Sequence, residues 1–187
     1  LLLAVLITAC GKKEKVSYAI PEPEDVVIYQ INPRVFAPEN SFQAIIPHLD
    51  EIKALGCNVL WFMPIYPIGE EKTKNSPYSV KDYYGVNAEF GTMDDFKMLI
   101  SEAHGRNMGV ILDWVPNHTS WDNVWTENKD WYTQDSTGMT VHREGTDWED
   151  VAELNFENDE MRMAMMDANK NWVTDVGGEG CGCDAVD

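Results

Sequence analysis

Asp113, Asn117 and His118 leave the end of the apolar run 109–112 within one six-residue segment. An acid, an amide and an imidazole grouped in this way can hold the hydroxyls of a polar ligand, exchange protons with it, or give oxygens to a hard cation. Pro116 stiffens the backbone between them. Asx residues also cap helices and form turns, so the segment takes its meaning from its place at a strand end. In α/β folds, ligand chemistry collects at the carboxyl ends of the strands.

The elements that position this segment are legible as alternating periods. Residues 26–31 are β-branched and apolar on both faces, which predicts a strand buried in a parallel sheet. Residues 41–55 predict an amphipathic helix with Ile45, Ile46, Leu49, Ile52 and Leu55 on one stripe, stopped by Gly56. Residues 58–63 predict a second strand. A long loop, 64–91, follows with Tyr66, Tyr78, Tyr83 and Tyr84. Thr92 is the predicted N-cap of a helix reaching Asn107, with Phe96, Leu99, Ile100 and Ala103 inward. Residues 109–114 predict the third strand. Residues 116–158 form an aromatic, irregular excursion. Residues 159–176 predict a helix with Met161, Met165, Ala168, Trp172 and Val176 on one side, and 180–185 a fourth strand.

Strand and helix therefore alternate, with long loops only on the strand-to-helix side. This asymmetry predicts an α/β fold, the N-terminal half of a (β/α)8 TIM barrel with a long excursion after strand 3. No G-x-G-x-x-G follows any of the strands, so a dinucleotide site has no support.

Charge and composition narrow the partners. The 187 residues carry a net charge of −18, spread along the chain, which argues against nucleic acid. Hard cations and neutral substrates stay open. Seven Trp, seven Tyr and six Phe supply faces that pack a core or stack on sugar rings. Residues 1–9 are apolar and uncharged, too short to span a bilayer. With Thr8, Ala9 and Cys10 they resemble a bacterial lipoprotein signal. That resemblance implies cleavage before Cys10, lipid on Cys10, a polar tether over 10–24, and anchorage in the bacterial cell envelope. The catalytic-type domain is then 25–187. Cys57 reads as a core residue, and Cys181 with Cys183 lacks the partners of a zinc site.

Five ordered segments resemble the alpha-amylase family of glycoside hydrolases. They are 28–36 (Ile-Tyr-Gln-Ile-Asn-Pro-Arg-Val-Phe), 56–64, 76–84 with 90–92, 113–118 (Asp-Trp-Val-Pro-Asn-His) and 153–155 (Glu-Leu-Asn). The fourth strand resembles the segment that carries the family's nucleophile, which implies that role for Asp184. Gly182 stands where the family pattern has Arg, a cation that would hold the nucleophile ionised.

The resemblance implies a retaining hydrolase of α-glucosidic bonds in starch-like glucans. Tyr78 would stack on the sugar, Asp113 and His118 would bind it, and Asp82 would bind it too or brace the subsite loop. Asn117 and Glu153 would donate oxygens to Ca²⁺. Trp121, Trp125, Trp131 and Trp148 are candidates for outer sugar subsites or for loop packing. A retaining reaction needs two carboxyl groups about 5–5.5 Å apart. The family's general acid and third carboxylate belong to strands five and seven, so a four-strand chain is expected to be inactive alone. Transglycosylation differs from hydrolysis only in the acceptor. A barrel that binds α-glucan or maltooligosaccharide without cleaving it is the alternative that Gly182 favours.

Overall fold

A computed structural model of the protein describes Tyr18 and residues 20–184. Residues 1–9, Cys10 and most of the tether lie outside the described residues. In chain order the elements are β1 (Ile28–Ile31), α1 (Pro33–Phe36), α2 (Ser41–Ile45), α3 (Leu49–Ala54), β2 (Val59–Phe62) and α4 (Met93–Gly105). They continue with β3 (Gly109–Trp114), β4 (His118–Thr119), β5 (Ala152–Glu153), α5 (Asp159–Asn171) and β6 (Gly180–Cys183).

Strands β1, β2, β3 and β6 form one parallel sheet in that order. Gln30, Trp61, Ile111 and Gly180 lie level across it. Side chains alternate between faces along a strand. One face therefore carries Ile31, Leu60, Phe62, Val110, Leu112 and Trp114, all buried under the helices. The other carries Gln30, Trp61, Ile111 and Asp113, the side expected to face a barrel interior.

The covered face is sealed by aromatic rings. Phe62 meets Phe96 of α4 at 5.7 Å, Phe96 meets Trp172 at 6.1 Å, and Tyr66 meets Trp172 at 5.6 Å and Trp114 at 5.9 Å. Each such fully buried side chain contributes roughly 1.5–3 kcal/mol of transfer free energy. The inward residues expected of the helix at 93–105 and of the helix at 159–176 are all buried. Thr92 caps α4 with a reciprocal pair: its Oγ1 accepts from Asp95 N at 3.1 Å, and Asp95 Oδ2 accepts from Thr92 N at 2.8 Å. Gly56, at φ 91°, takes the left-handed conformation that ends the helix before it.

Five expectations are corrected. The helix predicted over 41–55 is broken by a 3-10 turn at Ile46–His48, because Pro47 has no N–H to donate and crowds the preceding turn. Leu55 is 71% exposed, because α3 stops at Ala54 and leaves it on the cap. Strand β1 begins only at Ile28, and Val27 and Ile28 are exposed. Among the described residues β2 is its one neighbour, and Tyr29 and Ile31 are turned to the helices. The last turn of the helix over 159–176 widens to a π-helix at Trp172–Val176, and Trp172 Nε1 donates to Tyr83 O at 2.7 Å. The fourth strand, expected over 180–185, covers Gly180–Cys183 with Asp184 just beyond it, and Ala185 lies outside the described residues.

The excursion contains one ordered device that periodicity did not reveal. β4 and β5 pair antiparallel, His118 opposite Glu153 and Thr119 opposite Ala152. The far end of the excursion is thereby stitched to the strand end that releases His118.

Candidate active site

Two buried tyrosines fix the path of the chain after β3. Tyr83 Oη lies 2.6 Å from Val115 O and 2.8 Å from His118 O, and Tyr66 Oη donates to Asp113 O at 3.3 Å. Both rings are fully buried, and burial holds both phenols far above their ordinary titration range. They remain hydrogen-bond donors at any physiological pH, so the turn that presents Asp113 and His118 is held from beneath.

Above that turn lies a cavity of about 220 Å³, lined by Ser76, Tyr78, His118, Trp148, Asp150, Val151 and Asp184. It sits at the carboxyl ends of β3 and β6. Asp184 follows β6 directly, and its N–H donates to Trp114 O at 2.7 Å. Tyr78, His118 and Asp184, far apart in sequence, are thus brought to one place. Tyr78 Oη donates to Asp113 Oδ2 at 3.1 Å. Burial first, then the negative Asp113, pushes the Tyr78 phenol up to about 12.

Asp113 is 3% exposed, and its Oδ1 has no hydrogen-bond partner among the described residues. Desolvation raises its carboxyl to about 6. The Tyr78 hydrogen bond opposes that shift, and the charge of Asp184 adds to it. The folded protein therefore holds this proton more tightly than the unfolded chain, whose carboxyl titrates near its ordinary 3.8. The stabilisation is complete below that value and is lost as pH rises through about 6. We expect Asp113→Asn to remove this pH dependence. Calorimetric melting between pH 4 and 7 should show the wild-type and variant curves diverging as pH rises, with the variant gaining. Parallel curves would show that Asp113 is not the source.

His118 is buried, with Nδ1 3.1 Å from Asn117 Oδ1, and its ring is also bonded to the backbone of Tyr78. Burial lowers its pKa, opposed by Asp184 and Asp150 and assisted by Arg143. The imidazole is therefore neutral at pH 7.

The other candidate residues fall elsewhere. Asp82 does not line the cavity. Its Oδ1 accepts from Tyr84 N at 2.9 Å in an Asx turn, a brace for the loop. Asn117 directly precedes β4 and Glu153 ends β5: Leu154 N donates to Asn117 O at 3.2 Å, and Thr133 N donates to Glu153 O at 3.0 Å. Among the described residues no three His, Cys, Asp or Glu side chains gather as a metal set. Of the four excursion tryptophans, only Trp148 reaches the cavity. Trp125 and Trp131 pack on each other at 5.6 Å, and Trp121 lies under the Lys72 ammonium at 3.3 Å.

Gly182 sits opposite Asp113 in the sheet, on the face turned away from the helices. A Cβ there would fall 2.7 Å from Cζ2 of Trp61. The indole of β2 occupies the space that a side chain at 182 would need.

The catalytic-domain family described as "Alpha amylase, catalytic domain" matches residues 30–187. The chain belongs to the alpha-amylase family. A probable oligo-1,6-glucosidase 3 of Bacillus subtilis is 32% identical over 199 residues, covering 87% of this chain and 35% of that protein. The trehalose-6-phosphate hydrolase of the same organism is 33% identical, covering 78% and 32%. Among solved structures, a maltogenic alpha-amylase from Thermotoga neapolitana superposes with a TM-score of 0.83 at 32% identity, covering 88% of this chain and 40% of that one. An alpha-amylase from Geobacillus thermoleovorans, solved with acarbose, superposes with a TM-score of 0.69 at 28% identity, covering 87% and 40%. The chain thus spans about a third of the length of the curated relatives. Its parallel sheet of β/α units is part of their TIM barrel.

Ser76, Asp150 and the two pinning tyrosines escaped sequence reasoning. Ser76 opens the 76–84 segment without any local sign that it lines the cavity, and Asp150 carries no signal that separates it from its acidic neighbours. Tyr66 and Tyr83 act on backbone atoms more than thirty residues away.

Proposed function

We propose that the polypeptide carrying this chain is a retaining glycoside hydrolase acting on α-glucosidic bonds of starch-like glucans. The observation that carries this reading is the convergence of Tyr78, His118 and Asp184 on one cavity at the carboxyl ends of parallel strands. In this reading Asp184 attacks the anomeric carbon as the bond to the leaving oxygen breaks. The resulting glucosyl ester is then opened by water. Tyr78 stacks on the ring, and the neutral His118 and Asp113 bind its hydroxyls. The proton for the leaving oxygen comes from an acid that the family places on a later strand. Proton NMR of the first products from maltotriose, isomaltose and starch tests this. Release of the α-anomer supports it, and absence of cleavage or release of the β-anomer overturns it. Longer products on addition of maltose would assign transfer instead of hydrolysis.

A second reading is favoured by Gly182. With Trp61 filling that space, no guanidinium at 182 accompanies Asp184. The barrel is then a glucan-binding or transporter-associated module without turnover. Retardation on amylose gels without product formation would support it.

We also propose Ca²⁺ at the β4–β5 junction. Asn117 and Glu153 offer two of the six to eight oxygens that such an ion takes, so backbone carbonyls and water must supply the rest. Chelation should lower the melting temperature and expose the excursion to protease before the sheet. A melt unchanged by chelator and by added Ca²⁺ removes the ion from this account. Lipidation at Cys10 and residence in the cell envelope complete the proposal, and mass spectrometry of the amino-terminal peptide tests them.

A further inference from the structure

The amino ends of the strands, opposite the cavity, carry a cluster that the proposed reaction does not use. Tyr18 enters it from the segment before β1. Its Oη donates to Asn58 O at 2.8 Å, and Gly109 N donates to the same oxygen at 2.9 Å. Its ring stacks on His104 of α4, with centroids 6.1 Å apart. A Cβ at Gly109 would fall 2.5 Å from Cε1 of that ring, so the missing side chain at 109 is what admits it. His104 Nε2 lies 2.8 Å from Glu179 Oε1, both side chains only 10% exposed, and Glu179 Oε2 accepts from Val110 N at 2.6 Å. Asn58 and Gly109 stand at the starts of β2 and β3, and Glu179 stands just before β6. Asn58 also fastens the next stretch of the same segment. Its Oδ1 accepts from Val27 N and its Nδ2 donates to Asp25 O, both at 2.8 Å.

These contacts fix the end of the barrel from which the chain departs. The six residues of β3, at about 3.3 Å each, put about 20 Å between them and the cavity. From Cys10 to Tyr18 is eight residues, which span at most about 29 Å when fully extended. To hold Cys10 against the cavity mouth, that stretch would have to climb the height of the sheet and pass round a helix layer about 10 Å thick. That detour uses up the whole reach. Against the amino ends of the strands no detour is needed. Charge acts in the same sense. The net charge of −18 keeps the body of the protein from lying on anionic headgroups, which leaves the orientation to the tether.

We propose that Tyr18 is a latch that sends the amino-terminal tether out at the amino ends of the strands, so that a lipid surface fastened to the tether faces this end of the barrel and the cavity opens away from it. The cavity then stays open to long glucan chains, which a membrane across its mouth would exclude. The lipid surface rests on the reading of Cys10 given above, whereas the latch rests on the contacts of Tyr18.

The two are tested separately. The polypeptide carrying this chain, begun at residue 11 behind a hexahistidine, is captured on vesicles of phosphatidylcholine and a nickel-chelating lipid. A donor dye is attached through an azide-bearing residue that replaces either Leu55 or Met139, both exposed. Leu55 lies just before β2, and Met139 lies on the excursion after β3. Energy transfer to an acceptor-labelled lipid should be several-fold stronger from 55 than from 139. Tyr18→Ala frees the chain as far as Asp25 and should narrow that difference by at least about half, because the free length nearly doubles. Melting curves verify that each variant is folded. Equal transfer from the two positions, or stronger transfer from 139, overturns the latch. So does a folded Tyr18→Ala variant with an undiminished difference. Mass spectrometry of the native amino-terminal peptide decides the lipid: an unmodified Cys10 overturns the membrane attachment and leaves the latch to the captured protein.

Discussion

Asp184→Ala is expected to lower α-glucoside hydrolysis by at least about 10³-fold, the scale on which turnover falls when a covalent nucleophile is removed. Binding should survive, because Tyr78, His118 and Trp148 still line the cavity. The space vacated by the carboxylate gives a second readout. Azide entering it can attack the anomeric carbon from the side that Asp184 uses, forming a carbon–nitrogen bond as the bond to the leaving oxygen breaks. One displacement inverts the centre, so the product is the β-glucosyl azide. Recovery of turnover with that product assigns the nucleophile to this position. Hydrolysis by the variant at wild-type rate places the nucleophile elsewhere. The prediction separates the hydrolase from the binding barrel, for which the substitution alters affinity and nothing else.

The sequence carried the sheet and helix layer well wherever burial follows a simple period. Met161, Met165, Ala168, Trp172 and Val176 all face inward as their spacing requires, even across the change to a π turn. Thr92 and Asp95 signalled their cap through local chemistry alone. The break at Pro47 is also local, but the apolar stripe runs through it on either side and masks it. At 26–31 the residue types were right for a strand; Ile31, turned to the helices, is buried, whereas Ile28 lies on the face that they leave uncovered.

Within the site, Tyr78, Asp113, His118 and Asp184 were legible because each belongs to a segment with its own strand context. Asp150 was not. Along the excursion it differs little from Asp147, Glu149 and Glu153, and only the anchors from Lys74, Trp121 and Ser79 decide which acid turns inward. Those anchors reach across 71 and 73 residues in two cases, so no window of sequence contains them.

Gly182 gives the last expected result, and it concerns the oddest feature of the chain. If Gly182 were merely a lost side chain, Gly182→Arg would repair the family pattern without penalty. The position of Trp61 predicts the opposite. A Cβ at 182 falls 2.7 Å from Cζ2 and 3.0 Å from Cε2 of the indole, so even Gly182→Ala forces a shift. Overpacking of this kind costs about 1–3 kcal/mol. Gly182→Arg must in addition find room for a guanidinium beside Trp61 Nε1, a buried donor already without a partner among the described residues. Trp61→Ala opens that room, and a guanidinium placed there would stand two residues before Asp184, which follows the strand directly. The double variant should therefore be more stable than the sum of the single changes predicts, by an interaction within the 0.5–3 kcal/mol that neighbouring residues show. It should also gain activity if the missing cation limits turnover, since a nearby positive charge favours the ionised nucleophile. Urea melts of the two single variants and the double variant measure the coupling, and initial rates on maltotriose measure the gain. Additive stabilities would mean that Trp61 and Gly182 are not a packed pair. Coupling without any gain in rate would mean that the glycine is compatible with the chemistry as it stands, and that Trp61, rather than a cation, completes this wall of the site.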